Sequence, residues 1–413
     1  MFLRRRAVIT GLGIVSAIGI GKEKFWNSLK NGISGVDYIK SFDASSFPCK
    51  FAAEASDFDP TDFIPEKHAK RLDRFAQFGI AAAKMAVADS GLDLDKENRN
   101  RMGVIVGTSV GALAIGERQH AIFLEKGYRR INPFFATSII PSSASSQIMI
   151  NLGISGPCCT ITTACASSTS AVGEAAEMIK TGRSDIMIAG GSETPITPFA
   201  IGTFANVNLL TTSDGDPKKA YKTFDIKRDG LVFGEGSSLF VIEEYERAKK
   251  RGAKIYAEVL GYGATADAYH VMTPLPDAKQ AENAVRIALK DAKVNPEKID
   301  YINPHASGTI HNDRAEALTI RNVFGELASK IFVSATKPYT GHAMGGCGAL
   351  EIAACLMMME NNFLHPMLNL TERDPECDLN FVSAEGEEKE LNYVMKISFG
   401  FGGYNAVCIF KKI

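Results

Sequence analysis

The stretch Ile299-Asp-Tyr-Ile-Asn-Pro-His305 is an apolar run with a polar end, and an earlier part of the chain matches it. It follows a helix-like run over residues 281–292 and the short segment Val294-Asn-Pro-Glu297. Earlier, a helix-like run from residue 76 leads through Ser90-Gly-Leu-Asp-Leu-Asp95 to the apolar run Val104-Ile-Val-Gly-Thr108. This repetition predicts two similar halves that face each other. A site is then expected in the cleft between them.

A second pair of segments supports the duplication. Cys165 and its small neighbours open one helical run, and Gly341-His-Ala-Met-Gly-Gly346 opens another. The chain alternates apolar β-branched runs with amphipathic helical runs, which is typical of an α/β protein with buried strands. We expect strands over residues 7–11, 101–107, 186–190, 239–243, 256–261, 301–303, 331–334, 394–398 and 406–410. We expect helices over residues 74–90, 167–181, 278–292, 313–324 and 349–361.

Length, charge and cysteine content exclude several classes of protein. The chain has 413 residues, 45% of them hydrophobic, and a formal net charge of -1, so it can bury a large core and is not disordered. The balanced charge argues against a nucleic-acid-binding protein, and no apolar run approaches the ~18 residues of a membrane span. Eight cysteines without a C-x-x-C pair or zinc-ligand spacing predict reduced thiols, no metal site and a cytoplasmic location.

The strongest local signal is Thr162-Thr-Ala-Cys165-Ala-Ser-Ser-Thr-Ser170, which opens a helical run. At a strand-to-helix turn, free backbone N–H groups and the helix dipole are expected to lower the pKa of a thiol below about 8.5. The resulting thiolate is a nucleophile. A buried, inert cysteine is the alternative.

Two histidines lie in polar turns of small residues at strand ends. His305 belongs to Asn303-Pro-His-Ala-Ser-Gly-Thr309, and His342 follows Thr336-Lys-Pro-Tyr-Thr-Gly341. A cysteine with two histidines in equivalent turns suits acyl transfer and carbanion chemistry, in which N–H donors stabilise an enolate oxygen. Structural histidines are the alternative. No Pro- or Ser-rich linker is present, so the half with the cysteine (residues 1–254) and the half with the histidines (residues 255–413) are expected to form one compact unit.

A third turn, Ser398-Phe-Gly-Phe401-Gly-Gly403, follows a predicted strand near the C-terminus. Glycines on both sides of Phe401 allow close backbone approach and loop movement. Its N–H group is therefore a candidate for an oxyanion site, and its ring is a candidate for a gate. A simple hairpin turn is the alternative.

Together these motifs resemble the β-ketoacyl-acyl-carrier-protein synthases, the elongating type II condensing enzymes of the thiolase superfamily. The resemblance covers almost the whole chain and rests on T-A-C-A-S-S at Cys165, N-x-H at His305, T-K-x-x-x-G-H from Thr336 to His342, F-D-x-x-R-D-G over residues 224–230, and S-F-G-F-G-G from Ser398. It implies a duplicated, thiolase-like α-β-α-β-α layered fold. True thiolases are disfavoured because they are expected to carry a second reactive cysteine in the C-terminal turn.

The resemblance also implies a mechanism, the decarboxylative Claisen condensation of fatty acid chain elongation. Cys165 would carry the acyl chain as a thioester, while His305 and His342 would promote decarboxylation of malonyl-acyl carrier protein and stabilise the enolate. The backbone N–H groups of Cys165 and Phe401 would form the oxyanion hole. No metal or redox cofactor is implied, because the substrates arrive on the phosphopantetheine arm of acyl carrier protein.

Supporting roles carry over in the same way. Lys337 would set the electrostatics around the histidines, and Glu351 would hold Lys337 or ordered water. The implied substrate-binding residues are Thr273, Ser307 and Thr309 at the pantetheine arm, Phe204 as a second gate, Val110 at the floor of the acyl pocket, and Phe135 from the partner of a homodimer. The implied carrier-protein docking patch consists of Lys67, Lys70, Arg71, Arg129 and Arg130, for which a solvated basic face is the alternative.

Departures from the family pattern cluster around the same turns and leave the substrate open. They are Pro304, Ala306, Ser307 and Gly308, then Asn208, Pro338, Tyr339, Ile397 and Tyr404. One alternative is therefore a specialised ketosynthase of a polyketide or aryl-polyene type pathway. Another is a non-catalytic chain-length-factor subunit of a heterodimer, but the complete Cys and His set disfavours it.

Overall fold

The computed structural model describes residues 4–413, which form seventeen β-strands and fourteen α-helices. The strands are β1 (Ala7–Ser16), β2 (Gly19–Ile20), β3 (Asp37–Tyr38), β4 (Phe51–Ala53), β5 (Met102–Gly107), β6 (Cys158–Ile161), β7 (Ile186–Glu193), β8 (Phe233–Gly234), β9 (Gly236–Glu244), β10 (Ala257–Ala266), β11 (Tyr301–Asn303), β12 (Phe332–Val333), β13 (Phe363–Leu364), β14 (Asn380–Phe381), β15 (Glu387–Glu388), β16 (Tyr393–Gly400) and β17 (Tyr404–Lys411). The helices are α1 (Lys22–Lys30), α2 (Glu66–Ala69), α3 (Arg74–Ser90), α4 (Leu113–Lys126), α5 (Phe135–Ser138), α6 (Ser143–Leu152), α7 (Ser167–Lys180), α8 (Pro198–Asn206), α9 (Pro217–Ala220), α10 (Tyr245–Lys250), α11 (Lys279–Ala292), α12 (Ile310–Phe324), α13 (Lys337–Thr340) and α14 (Cys347–Asn361).

The large sheet consists of two similar halves. From the middle outward, one half has the order β1-β9-β7-β5-β6, and the other has the order β10-β17-β16-β11-β12, with β14 beyond β12. In each half the first two pairings are antiparallel and the next two are parallel. The halves meet where β1 pairs with β10. The duplication predicted from the sequence is therefore present in the strand order.

Glycines let a helix pack closely on the innermost strand of each half. A Cβ atom on Gly11 of β1 would lie 2.1 Å from the carbonyl oxygen of Ala86 in α3, and one on Gly261 of β10 would lie 2.4 Å from that of Ala288 in α11. Both strands also have a register shift beside these glycines. The close approach explains why glycines occur within β1, which continues to Ser16, whereas the sequence predicts a strand that ends at residue 11.

Helices cover both faces of each half-sheet. Helices α7 and α14 lie between the half-sheets, and every residue of α14 from Cys347 to Met359 is buried. The outer layers are α3 and α6 on one side and α11 with α12 on the other. This α-β-α-β-α arrangement is the predicted layered α/β fold. In the part of the chain that the structure describes, none of the helices is long and apolar enough to cross a membrane.

Some elements escape prediction from the sequence. Helix α3 begins and ends as predicted, but α4 and α8 are not predicted. Only two residues of each are buried, so neither carries a strong apolar period. The small β3-β4-β8 sheet is also missed because its strands have only two or three residues each.

Candidate active site

Cys165 lies in the turn between β6 and α7 and is 8% exposed. The preceding Ala164 has a φ of 48°, in the left-handed region. The hydroxyl of Ser167 accepts a hydrogen bond from the Thr163 N–H group at 2.9 Å and donates one to the Ala164 carbonyl at 2.5 Å. These two bonds hold the strained turn that presents the thiol.

The N-termini of the two central helices lie side by side at Cys165. The Ala349 N–H group of α14 donates to the Ser168 hydroxyl of α7 at 2.9 Å, and the Cys347 thiol donates to the Cys165 carbonyl at 3.4 Å. Burial, followed by the neighbouring Cys347, raises the pKa of the Cys165 thiol, so the prediction of a lowered pKa is wrong. Burial therefore favours the thiol form of the sulfur, and a thiolate at this position would face the positive ends of both helix dipoles.

The structure brings the two predicted histidines to the cysteine. The Cys165 sulfur and one ring nitrogen of each histidine all lie within 4.8 Å of one another. The rings of His305 and His342 are nearly perpendicular, with centroids 5.4 Å apart, and both side chains are 3% exposed. One compact cluster therefore joins a residue of the first half with two of the second.

Hydrogen bonds assign the tautomer of each histidine. The Nδ1 atom of His342 accepts from the Met344 N–H group at 3.0 Å, and the Nδ1 atom of His305 faces the Lys337 ammonium at 3.4 Å. Since both Nδ1 atoms accept, the Nε2 atoms carry the protons. A thiol and two imidazoles at this spacing also match a soft-metal ligand set. The assigned tautomers instead make the rings a pair of N–H donors, which suits an oxyanion.

Both histidines are neutral at physiological pH. Burial, and then the charge of Lys337, hold the pKa of His305 and the pKa of His342 well below the ordinary value of 6.5. Neutral rings donate only through Nε2. Protonation of the two rings at low pH would remove the defined tautomers, in which only Nε2 carries a proton.

We therefore expect neither His305 nor His342 to titrate between about pH 6 and pH 8. Protonation, and the loss of activity that follows from it, belong at lower pH because the histidine pKa values are lowered. The test is the pH titration of the histidine ring signals by NMR, with unfolding followed in parallel to exclude acid denaturation. The rate alone does not separate the groups, because burial raises the pKa values of Glu193 and Glu316 in this site to about 7. A ring signal of His305 or His342 that titrates with a midpoint near 6.5 in folded protein would contradict the assignment.

A buried ionic cluster lies behind His305. The ammonium of Lys337 donates to the His305 carbonyl and pairs with one oxygen of Glu351, while Lys396 lies 2.7 Å from the other oxygen. All three side chains are at most 1% exposed. Burial lowers the pKa of Lys337, but Cys347 and Glu351 outweigh it and raise that pKa to about 12. Lys337 is therefore charged, and the contacts predicted for Lys337 and Glu351 are present.

Two buried carboxyl groups hold the turns of the site, and the sequence analysis missed both. Glu316 accepts from the backbone N–H groups of His305 and Ala306 at 2.6 and 2.7 Å. Glu193 accepts from the N–H groups of Gly111 at 2.9 Å and Gly345 at 3.1 Å, and so ties the two halves together. Burial raises the pKa of each carboxyl group to about 7. The sequence offers one signal for each: Glu193 is the acid at the end of an apolar strand, and Glu316 is an acid in the helix that follows the polar His305 turn.

A cavity of about 150 Å³ opens onto the three reactive groups. Its walls include the predicted residues Thr273, Ser307 and Thr309, together with Phe204 and Phe401. The two phenylalanine rings stack with their centroids 6.1 Å apart. The loop of Phe401 touches the nucleophile turn, because a Cβ on Gly400 would lie 2.6 Å from the Thr163 carbonyl.

The remaining predicted residues lie outside this cavity. Val110 packs in the same apolar cluster as Phe204, and Phe135 packs against the cluster around α3. Of the basic residues, only Arg71 is partly buried, and its guanidinium lies over the Phe134 ring at 4.3 Å from the centroid. The exposed basic residues are Lys67, Lys70, Arg129 and Arg130. The roles of all these residues stay predictions.

Two family models match the chain. The N-terminal domain of β-ketoacyl synthase matches residues 4–248, and the C-terminal domain of β-ketoacyl synthase matches residues 256–371. Together they cover most of the chain and include all three reactive residues.

Named relatives and a solved structure agree with these models. The chain is 41% identical to a 3-oxoacyl-[acyl-carrier-protein] synthase 2 from Synechocystis sp., covering 99% of this chain and 98% of the relative. It is 42% identical to the protein of the same name from Coxiella burnetii, covering 99% of both. A solved type II polyketide ketosynthase, in complex with its acyl-carrier protein and bound to the hexaketide, is 33% identical with a TM-score of 0.92, covering 99% of this chain and 100% of that chain. The sequence, the duplicated thiolase-like fold and the Cys-His-His cluster thus agree, and the chain belongs to the β-ketoacyl synthase family.

Proposed function

We propose that the chain catalyses decarboxylative Claisen condensation of a Cys165-bound acyl chain with malonyl-acyl carrier protein, as in fatty acid chain elongation. The observation that carries the proposal is the cluster of Cys165, His305 and His342, whose reactive atoms lie within 4.8 Å of one another beside a cavity. A nucleophile next to two neutral N–H donors suits both acyl transfer and enolate formation. The relatives named 3-oxoacyl-[acyl-carrier-protein] synthase 2 support the same reaction.

In the first step the Cys165 sulfur attacks the carbonyl carbon of an acyl thioester on the carrier's pantetheine arm. The new C–S bond forms at Cys165, and the C–S bond to the pantetheine breaks. The pantetheine sulfur leaves as a thiol with the proton that Cys165 loses. The N–H groups of Cys165 and Phe401 are proposed to hold the carbonyl oxygen while it carries negative charge.

In the second step the malonyl group loses CO2. The electron pair of the broken C–C bond moves into an enolate, whose oxygen accepts hydrogen bonds from the Nε2–H groups of His305 and His342. The enolate carbon then attacks the Cys165 thioester, and the C–S bond breaks. The products are CO2 and a 3-oxoacyl-carrier protein two carbons longer, while Cys165 takes a proton from solvent.

These steps need no metal or redox cofactor, and we propose that none takes part. The acyl and malonyl groups arrive on the phosphopantetheine arm, for which Thr273, Ser307 and Thr309 supply hydroxyl groups along the cavity wall. All eight cysteines are free within residues 4–413, which supports the proposal that the protein acts in a reducing compartment such as the cytoplasm.

Turnover with a panel of carrier-bound starters tests the proposed function. The purified protein is incubated with malonyl-acyl carrier protein and saturated, unsaturated or aryl acyl-carrier proteins, and products are identified by mass spectrometry. We expect a 3-oxo product two carbons longer from saturated starters and none when the malonyl substrate is omitted. Product only from unsaturated or aryl starters would favour the specialised ketosynthase. Product from no starter would reject the enzyme assignment.

We also propose that acyl carrier protein docks on the predicted basic patch. Exposed cations attract an acidic partner and speed its association at low ionic strength. The solved ketosynthase that is bound to its acyl-carrier protein supports a partner of this class. Arg71, over the Phe134 ring, would be the best-positioned cation of the patch.

Reversal of charge at Lys70 and Arg71 to glutamate is expected to raise the carrier-protein KM about 10-fold. The KM for a small acyl thioester should stay the same, since it does not contact the patch. The matched control is reversal at Lys249 and Lys250, two exposed neighbours on α10. Equal effects of the two double variants, or on the two substrates, would count against docking here.

The active form is proposed to be a homodimer. Strand β6 is an edge of the large sheet, and its residues Cys158 and Cys159 are exposed. Exposed apolar side chains of residues 134–150 belong to the helices and turns that precede it: Phe134, Ile139, Ile140 and Ile150. A second copy would cover this apolar edge. Sedimentation of the purified chain tests it: a monomer at micromolar concentration that binds only a different chain would favour the heterodimer.

A further inference from the structure

Lys396 is a fully buried lysine that no step of the proposed reaction uses. It lies on β16, where the flanking residues are apolar, and is 0% exposed. Its ammonium lies 2.7 Å from Glu351 and donates to the carbonyls of Pro304 at 3.0 Å and Ile397 at 2.5 Å. Two carbonyls accept its hydrogen bonds, and the Glu351 carboxylate is its ion-pair partner. Burying an ammonium is costly, so a site that supplies two carbonyl acceptors and a carboxylate is specifically built.

The contact with Pro304 connects Lys396 to the first catalytic histidine. Pro304 directly precedes His305, and Ala306 after it has a φ of 47°, so the turn is held in a strained conformation. Lys337 holds the His305 carbonyl, and Glu316 holds the N–H groups of His305 and Ala306. Lys396 adds a charged contact to the Pro304 carbonyl of the same turn. Its removal would free the Pro304 carbonyl and let the His305 ring move.

The contact with Glu351 sets the charge behind the histidines. The Glu351 carboxylate faces two ammonium groups, those of Lys337 and Lys396, so Lys396 adds a second positive charge behind the histidines. In a buried site an added positive charge favours neutral histidines and stabilises an anion nearby. The other titratable groups near Lys396 are Glu316, His305, His342, Cys347, Cys355 and Cys408.

We propose that Lys396 is a positioning residue for the decarboxylation step, which it supports by fixing the His305 turn and by adding positive charge behind the enolate site. The inference rests on the proposed function. Loss of Lys396 should therefore slow decarboxylation more than it slows acyl-enzyme formation. Formation of the acyl-enzyme depends on Cys165 and the oxyanion hole, whereas decarboxylation depends on the histidines that Lys396 holds.

The test separates the two partial reactions in the full-length protein. Lys396→Met removes the charge and keeps an unbranched side chain. We expect CO2 release from malonyl-acyl carrier protein to slow about 10- to 100-fold, while acyl-enzyme formation changes less than about 3-fold. The matched control is Lys180→Met, because Lys180 is also buried, bonds a carbonyl and lies near Glu177 and Asp291, away from the cavity. It should leave both rates unchanged.

A second pair of variants keeps the test decisive if the methionine variant does not fold. Lys396→Arg retains the charge, and Lys396→Gln retains only hydrogen bonding. Faster CO2 release by the arginine variant supports the inference, and equal rates overturn it. Equal losses in both partial reactions would also overturn it, because they indicate a structural role. If the unaltered protein releases no CO2 and forms no acyl-enzyme, the proposed function fails instead.

Discussion

Replacement of Cys165 by alanine is expected to abolish chain elongation, with a loss in kcat of at least about 10⁴-fold. No other thiol is expected to take its place, because the sulfur must lie within reach of both histidines, as that of Cys165 does within 4.8 Å. Decarboxylation should persist in this variant, since its two N–H donors are untouched. The measurement is the rate of 3-oxo product formation, together with the rate of CO2 release.

The fold of the variant should be intact. Ser167 holds the turn through the backbone of Thr163 and Ala164, so loss of the sulfur leaves those hydrogen bonds in place. The matched control is Cys377→Ala, which alters a buried cysteine outside the cavity and should retain elongation per folded molecule. Chain elongation by the folded Cys165→Ala variant would contradict the proposed mechanism.

Replacement of His305 by alanine is expected to have the second largest effect. Its Nε2–H group is one of two donors for the enolate oxygen, and loss of one such donor costs about 10²- to 10³-fold in kcat. The loss should appear in decarboxylation and condensation. Acyl-enzyme formation should remain, because Cys165 and the oxyanion hole are retained. Rapid-quench measurement of each step checks this expectation.

His365 provides the comparison for that variant. It is fully buried, bonds the Pro366 carbonyl at 3.0 Å, and burial lowers its pKa to about 4, but it does not line the cavity. Its replacement by alanine should reduce stability and leave kcat per folded molecule unchanged. If His305→Ala and His365→Ala have the same profile, then His305 has only a structural role.

The sequence predicts the repeated architecture well because the signal is local and occurs twice. Helix α3 was predicted to the residue, and the strand order confirms the duplication. Strand ends were predicted less well where glycines occur within strands. Gly13 lies beyond the predicted end of the first strand at residue 11, but it belongs to β1, where a Cβ atom on it would lie 1.9 Å from the Ala82 carbonyl oxygen of α3.

In the candidate site, too, local sequence predicts some residues and misses those that only the packing of distant segments brings together. Cys165, His305 and His342 were found because each lies in a recognisable turn, but Lys396 and Glu316 were not. Their contacts with the His305 turn are created by packing: Lys396 and Pro304 are 92 residues apart in the chain. The position of Cys165 at a helix N-terminus also predicts the wrong direction for its pKa, because that local rule takes no account of the burial that the whole fold imposes.

Intact-mass spectrometry tests the central claim most directly. The protein is exposed to an acyl-carrier protein and then to malonyl-acyl carrier protein, with Cys165→Ala treated in parallel. We predict a mass gain equal to the acyl group, located on Cys165, that disappears as the 3-oxo product two carbons longer forms. No adduct with any starter, or an adduct that persists after malonyl-acyl carrier protein is added, would contradict the account.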